Sequence, residues 1–130
     1  MANKFSNPDG VRAPGGAYTH VVEVPANARW LVISGQVGIT PDGKILEGAE
    51  AQTEQCYKNL LACLKAHGMG KEDIVKFTVY LTDSRYIVPY RAARERLIGN
   101  DCKPTSTLVI VDGLAVPEML VEIEAWAAKS

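Results

Sequence analysis

Two glutamates near the end of the chain, Glu122 and Glu124, are the residues whose spacing points most directly to chemistry. They alternate with Val121, Ile123 and Ala125, and a period of two is typical of a β-strand that buries one face. Both carboxylates therefore lie on the same face of the predicted strand. Such a pair can transfer protons when one carboxyl group is desolvated and its pKa is raised. The simpler interpretation is that both are solvated or paired with basic side chains.

Other reactive side chains are scattered along the sequence. Ser106 can act as a nucleophile only with a base within hydrogen-bond reach, and the sequence contains two histidines, His20 and His67. His67 falls at the end of a predicted helix, where a positive charge favours the helix dipole. We therefore interpret Ser106 as a polar residue rather than as half of a Ser–His pair. His20 either contributes to a binding site or is exposed on a strand.

The three cysteines do not form a metal site or a disulfide framework. Cys56 and Cys63 lie two helical turns apart, about 10.5 Å, which exceeds the roughly 7 Å limit for a disulfide, so we expect both in the core. Cys102 lies in the polar loop GNDCKP beside Lys103, which favours the thiolate. It is the most reactive thiol that the sequence suggests, unless it has no role at all. We expect no metal and no cofactor.

Length and composition set limits on the function. The chain has 130 residues, 47% of them hydrophobic, which suffices for one domain with its own core. Residues 1–17, rich in Pro and Gly, are predicted to be an irregular leader, and residues 18–130 a single domain. The 14 Lys and Arg against 15 Asp and Glu argue against a nucleic-acid partner. The leader has no apolar run and no membrane span is evident, so we predict a cytoplasmic protein.

Hydrophobic periodicity and turn residues predict the element order β-β-β-α-β-α-β-β. One helix is expected at 49–67, and a second between a cap at Asp83 or Ser84 and the stop at Gly99. The strands are expected at 18–24, 30–36, 38–46, 74–81, 107–111 and 121–127.

One face of the predicted sheet lacks a cover. Two helices can cover a single face, yet the segments WLVI and TLVIV place large apolar side chains on both faces. Nothing else in the chain can bury the second face. We therefore predict a homo-oligomer in which sheet faces pack together.

Several segments resemble the RidA/YjgF family in order and spacing over residues 18–128, namely SGQVG, TPDGKI, the helix 52–60, IVKFTVYLTD and PEMLVEIEAWA. The resemblance implies a chorismate-mutase-like α+β fold, a mixed sheet with two helices on one face. It also implies homotrimers with ligand pockets in the clefts between subunits. The best-known members hydrolyse reactive enamines and imines, and they release ammonia and a 2-oxo acid. Some members have been described as ribonucleases, an activity that the net charge of −1 argues against.

The family's ligand-binding positions correspond to six residues of this chain. Glu122, which opens the E-I-E segment, is the only one to which we assign a catalytic role, that of positioning water or a ligand donor. The family's P-A-R-[ST] motif reads Pro104-Thr105-Ser106-Thr107 here, so a serine stands at the arginine position. The six ligand-binding candidates are Tyr18, Ser34, Gly35, Gln36, Ser106 and Glu122.

The serine at this position changes the expected chemistry. In the deaminating members the arginine clamps the substrate carboxylate, and a guanidinium makes two charge-assisted hydrogen bonds that a serine hydroxyl cannot make. The sequence thus predicts a homotrimer that binds a small metabolite without 2-imino-acid deaminase activity. The alternative is an enamine or imine deaminase whose substrate has no carboxylate, with Glu122 activating water. Whether Lys103 or Arg91 replaces the missing charge stays open.

The second helix is rich in arginine, and several aromatic residues lie near it or near the final strand. The arginines form either an anion site or a solvated helix face, because Glu95 and Asp101 dilute their charge. The aromatic residues line either a cleft or a packed interface. The two sets are Arg85, Arg91, Arg94 and Arg96, and Tyr80, Tyr86, Tyr90 and Trp126.

Overall fold

The computed structural model describes residues 1–130, and it contains six strands and two α-helices. Two short 3-10 helices, Lys71–Asp73 and Ser84–Tyr86, precede β4 and α2. In chain order the elements are β1 (Lys4–Ser6), β2 (Val21–Glu23), β3 (Arg29–Val37), α1 (Ala49–Lys65), β4 (Ile74–Leu81), α2 (Ile87–Ile98), β5 (Thr105–Ile110) and β6 (Val121–Lys129).

The main sheet has the strand order β3-β6-β4-β5. β4 and β5 run parallel, whereas β6 pairs with β3 and β4 in antiparallel register. The two helices pack against each other, and α1 packs against β3 and β6. The sheet is therefore mixed and its helices cover one face, which confirms the predicted α+β class.

The core lies between the helices and this covered face. Along β4 the residues Val75, Phe77, Val79 and Leu81 are all buried, as their alternation predicts. From α1 the buried set includes Cys56, in agreement with the core position predicted for it, and burial raises its thiol pKa to about 12. The largest fully buried side chains are Tyr57, Phe77, Leu60, Leu64, Ile74, Leu81, Ile98 and Ile123.

The other face of the sheet is open in the single chain. Val32 is 71% exposed, Trp30 49% and Trp126 41%. The two tryptophan rings meet edge to face at 6.2 Å, and the Lys76 ammonium lies 5.2 Å from the Trp126 ring centroid. Exposed aromatic and aliphatic side chains on one contiguous face are typical of an interaction surface.

Two of the predicted segments differ from the structure. The leader 1–17 is not wholly irregular, because β1 lies within it and pairs with β2 in a separate two-stranded sheet. The predicted strand 38–46 is reduced to one isolated bridge between Ile39 and Ile45. The Ser34-Gly35-Gln36 segment lies inside β3, within the strand predicted at 30–36, at a bulge opposite β6.

None of the helices combines the length and the apolar character that crossing a bilayer requires. No group of three or more His, Cys, Asp or Glu side chains is arranged to hold a metal ion.

Candidate functional site

A cavity of about 600 Å³ opens between the leader, α2 and β5. It brings together Tyr18 and Ser106, two of the six residues that the sequence singles out for ligand binding. Tyr90 and Arg94 of α2 form the inner wall, and we call the set Tyr18, Tyr90, Arg94 and Ser106 the donor cavity. The remaining lining residues are Gly15, Gly16, Ala17, Arg91, Glu95, Asn100 and Leu108.

Hydrogen bonds between distant segments shape this cavity. The buried Thr19 donates its backbone N–H to the Pro104 carbonyl at 3.1 Å and its hydroxyl to the Lys103 carbonyl at 2.5 Å. These bonds place the leader beside the first residues of β5, so Tyr18 and Ser106 share one wall. The Tyr18 ring also meets the His20 ring edge to face at 5.6 Å. His20 does not line the cavity, and its Nε2 lies 2.6 Å from the Arg12 carbonyl.

Arg94 is the cationic centre of the donor cavity. Its side chain is buried although it carries a charge, and the residue is only 7% exposed. Its Nη2 donates to the carbonyls of Ala17 at 3.0 Å and Cys102 at 2.7 Å, and its Nη1 to the Gly99 carbonyl at 3.4 Å. The guanidinium thus ties the leader, the end of α2 and the loop before β5 together, and no carboxylate neutralises it within ion-pair distance.

Two buried tyrosines continue the wall behind Arg94. The hydroxyls of Tyr57 and Tyr90 are 2.6 Å apart, and both residues lie in the core. Burial raises the pKa of Tyr90, which the hydrogen bond from Tyr57 and the Arg94 charge oppose. Burial also raises the pKa of Tyr57 far above its ordinary value. Both phenols are therefore neutral hydrogen-bond donors at physiological pH.

A second group of candidate residues lies at the bulge of β3. A Cβ at Gly35 would lie 2.0 Å from Oε2 of Glu122 and 2.9 Å from its Cγ. A Cβ there would displace the Glu122 side chain from its present position, so the glycine and the glutamate fit together at the bulge. The sequence placed both residues in the ligand-binding set, and the structure puts them in contact.

Glu122 and Glu124 share a face of β6, as their spacing predicts. The Tyr80 hydroxyl donates to the Glu124 carboxylate at 2.9 Å, and this bond raises the pKa of Tyr80. Both glutamates and Tyr80 line a cavity of about 360 Å³ beside the loop Val111–Ala115. We call Gly35, Tyr80, Glu122 and Glu124 the carboxylate face.

The donor cavity and the carboxylate face lie on opposite sides of the sheet. Ser106 pairs with Phe77 of β4, which is fully buried under the helices, whereas Glu122 pairs with Tyr80. Phe77 and Tyr80 are an odd number of residues apart, so their side chains lie on different faces. A single chain does not bring Ser106 and Glu122 into one site.

The other predicted residues take various positions. Ser34 is exposed at the bulge, and Gln36 donates its side-chain amide to the Ser34 carbonyl at 3.2 Å. Neither residue lines the donor cavity or the cavity of the carboxylate face. Of the two alternative cations, Arg91 lines the donor cavity and Lys103 does not.

Of the two interpretations of Cys102, the structure favours a cysteine without a reactive role. Cys102 is 7% exposed, and its Sγ lies 3.7 Å from the Lys71 carbonyl. Burial raises its pKa, although the charges of Arg94 and Lys71 oppose that effect. The loop GNDCKP is polar in sequence but folds its cysteine inward under Arg94.

The four arginines of the second helical region do not form one cluster. Arg85 pairs with Asp83 at 3.0 Å, and Arg96 bridges to Glu50 and Glu54 of α1. Only Arg91 and Arg94 reach the donor cavity. Sequence reasoning missed the special position of Arg94, although the spacing of Tyr90, Ala93, Arg94 and Leu97 is that of one helix face.

The sequence profile of the family described as Endoribonuclease L-PSP matches residues 10–129. The chain belongs to the RidA/YjgF family. A RutC family protein from Aquifex aeolicus is 46% identical over 118 residues, which cover 89% of this chain and 91% of that protein. A 2-iminobutanoate/2-iminopropanoate deaminase from Salmonella typhimurium is 31% identical over 102 residues, covering 76% and 79% of the two chains.

Solved structures of RidA/YjgF proteins share the fold. A conserved Rid family protein from Yersinia pestis superposes with a TM-score of 0.85 at 28% identity, covering 99% of this chain and 100% of the other. RidA from a Psychrobacter bacterium gives a TM-score of 0.71 at 30% identity, covering 95% and 98%. The matches extend over nearly the whole chain, including both the donor cavity and the carboxylate face.

Proposed function

We propose that this RidA/YjgF protein is a homotrimer that binds a small metabolite in clefts between its subunits and lacks 2-imino-acid deaminase activity. The observation that carries the proposal is the position of Ser106. The resemblance to the family motif places this residue at the arginine position, and Ser106 lines the donor cavity beside Tyr18.

The ligand carboxylate loses its strongest partner when serine replaces arginine. A guanidinium on β5 would make two parallel charge-assisted hydrogen bonds, each worth about 1.5–3 kcal/mol. The serine hydroxyl offers one neutral donor worth about 1 kcal/mol. Since 1.4 kcal/mol corresponds to a factor of ten, the exchange lowers affinity or rate for a 2-imino acid by orders of magnitude.

Two observations support the trimer. The open sheet face exposes Trp30, Val32 and Trp126, which need a cover. In addition, Ser106 and Glu122 lie on opposite faces of the sheet. Each subunit therefore carries both halves of a candidate site, but the halves do not meet within it. Assembly would let the carboxylate face of one subunit complete the donor cavity of the next.

The test is an assay of ammonia release from 2-iminobutanoate generated in situ. We expect little activity from the native protein and a gain of at least tenfold for Ser106→Arg, with Ser84→Arg at an exposed site as the matched control. The Salmonella typhimurium relative serves as the active reference. Native activity comparable with that relative would contradict the proposal.

A second candidate function is an enamine or imine deaminase whose substrate lacks a carboxylate. It is favoured by Glu122 and Glu124, which line a cavity with room for a substrate or water. In this function Glu122 activates the attacking water and Ser106 needs no charge. Ammonia release from a neutral enamine by the native protein, lost in Glu122→Gln and retained in Glu118→Gln, would support this second function over the first.

A further inference from the structure

We propose that the donor cavity binds a carboxylate-bearing ligand through the guanidinium of Arg94 and the hydroxyls of Tyr90 and Ser106. Helix α2 then supplies the positive charge that β5 lacks. The inference rests on the proposed function, because it names the ligand class of the same cavity.

The first observation is a buried cation without a counter-charge. Arg94 is only 7% exposed, and its guanidinium donates to three backbone carbonyls. The only carboxylate lining the cavity is that of Glu95, which is exposed, accepts from the Asn100 amide at 3.1 Å and forms no ion pair with Arg94. An anion in the cavity would offset the cost of keeping this charge out of water.

The second observation is the number of free donors. A guanidinium has five N–H groups, and three of those of Arg94 are directed at carbonyls. Two are directed at no carbonyl; the Tyr90 hydroxyl lies within hydrogen-bond reach of the guanidinium, and the Arg94 side chain lines the cavity. A carboxylate is acceptor-only and matches this set, whereas a cationic or purely donating ligand does not.

The third observation is the hydroxyl pair of Tyr57 and Tyr90, of which one must donate to the other. If Tyr90 donated, the Tyr57 hydrogen would be left without an acceptor in a fully buried position, which costs free energy. If Tyr57 donates, the Tyr90 hydrogen is free to point into the cavity, which Tyr90 lines and Tyr57 does not. The second arrangement is favoured, and it gives the cavity a further donor.

Ser106 faces this group from β5 and adds a neutral hydroxyl. The carbonyls of Ala17, Gly99 and Cys102 hold the Arg94 guanidinium on the α2 side of the cavity. A carboxylate bound there lies differently from one clamped by a side chain of β5. Carboxylate binding at Arg94 is therefore compatible with the absence of 2-imino-acid deaminase activity.

The test compares carboxylates with their neutral amides by isothermal titration calorimetry on the intact native protein. The probe pairs are pyruvate and pyruvamide, butanoate and butanamide, and benzoate and benzamide. We expect at least one acid to bind at least tenfold more tightly than its amide. Failure of all three acids to bind, or equal affinity for acid and amide in every pair, would overturn the inference.

Variants locate the binding groups. Tyr90→Phe keeps the ring and should lower the affinity for the acid by about tenfold or more, since a hydrogen bond to a charged group is lost. Its control is Tyr86→Phe, because Tyr86 is only partly buried and lies outside this cavity. Arg94→Lys keeps the charge but loses the planar guanidinium. It should lower the affinity for the acid more than the affinity for the amide. An acid affinity that is unchanged in both folded variants would contradict the assignment.

The binding experiment and the ammonia assay test the two proposals separately. Native deaminase activity equal to that of the Salmonella typhimurium relative would refute the proposed function and leave the calorimetric preference for acids intact. Equal binding of acids and amides would refute only the role of Arg94 and Tyr90.

Discussion

The donor cavity and the carboxylate face occupy opposite sides of one sheet and carry opposite chemistry. The cavity presents hydrogen-bond donors around the buried guanidinium of Arg94. The face presents two carboxylates beside Tyr80. Under the proposed function these regions are two complementary half-sites, one that binds an anion and one that orients water. Because they lie apart within the chain, we propose that they act together only in an assembly.

The two regions are also built in different ways. The donor cavity depends on side chains that bond to backbone carbonyls far away in sequence, as Arg94 does with Ala17. The carboxylate face depends on close approach, because the missing side chain of Gly35 leaves room for Glu122. Substitutions that remove hydrogen bonds should therefore disrupt the donor cavity. Substitutions that add side-chain volume should disrupt the carboxylate face.

The largest expected effect is on the donor cavity. Arg94→Met removes three hydrogen bonds from a charged donor and leaves one buried and two partly buried carbonyls without this partner, so the free energy of unfolding should fall by about 3 kcal/mol or more. Chemical denaturation measures the change. Arg85→Met, at an exposed ion pair, is the control and should leave the midpoint unchanged. An Arg94→Met protein as stable as the native one would show that the guanidinium does not hold the cavity together.

A smaller effect is expected from filling the bulge. Gly35→Ala places a Cβ on the Glu122 carboxylate and should lower the free energy of unfolding by about 1–3 kcal/mol, as overpacking usually does. Gly113→Ala is the matched control, because nothing lies within 4 Å of a Cβ at that position. Equal thermal midpoints for the two variants would show that Glu122 does not depend on the glycine.

The smallest effect is a titration shift on the carboxylate face. The hydrogen bond to Glu124 disfavours the Tyr80 phenolate and raises the pKa of this phenol, so Tyr80 should ionise at higher pH than an ordinary tyrosine. Glu124→Gln should move the transition back to lower pH, as followed by NMR of the tyrosine ring. Glu118→Gln, at an exposed position, should not. A Tyr80 titration that is unaltered by Glu124→Gln would contradict a hydrogen bond between Tyr80 and Glu124.

Regular elements with a strong period were predictable from the sequence. The alternation in β4 and β6 and the apolar stripe of α1 identify which faces are buried, because local pattern and tertiary packing agree there. The strand predicted at 38–46 was reduced to a single bridge, since its turn residues permit pairing but no neighbouring strand extends it. The short β1 was missed because its partner β2 lies beyond the Pro- and Gly-rich segment.

The candidate site was predictable only in part. Tyr18, Ser106, Gly35 and Glu122 were named from sequence, but their division between two faces follows from strand register, which a motif does not encode. The burial of Arg94 depends on carbonyls distant in sequence, so local pattern gave only the spacing from Tyr90 as a signal. The polarity of the loop around Cys102 suggested exposure, and tertiary hydrogen bonds from Arg94 reversed it.

The mass of the native protein in solution tests most directly whether the two half-sites meet between subunits. Light scattering at micromolar concentration should give three times the 14.1 kDa chain mass. Val32→Lys, which places a charge at the most exposed apolar side chain of the open sheet face, on the edge strand β3, should give a smaller mass with the same secondary structure by circular dichroism. A native mass of one or two chains would contradict the account, because the donor cavity and the carboxylate face would then lack the trimer in which they are proposed to meet.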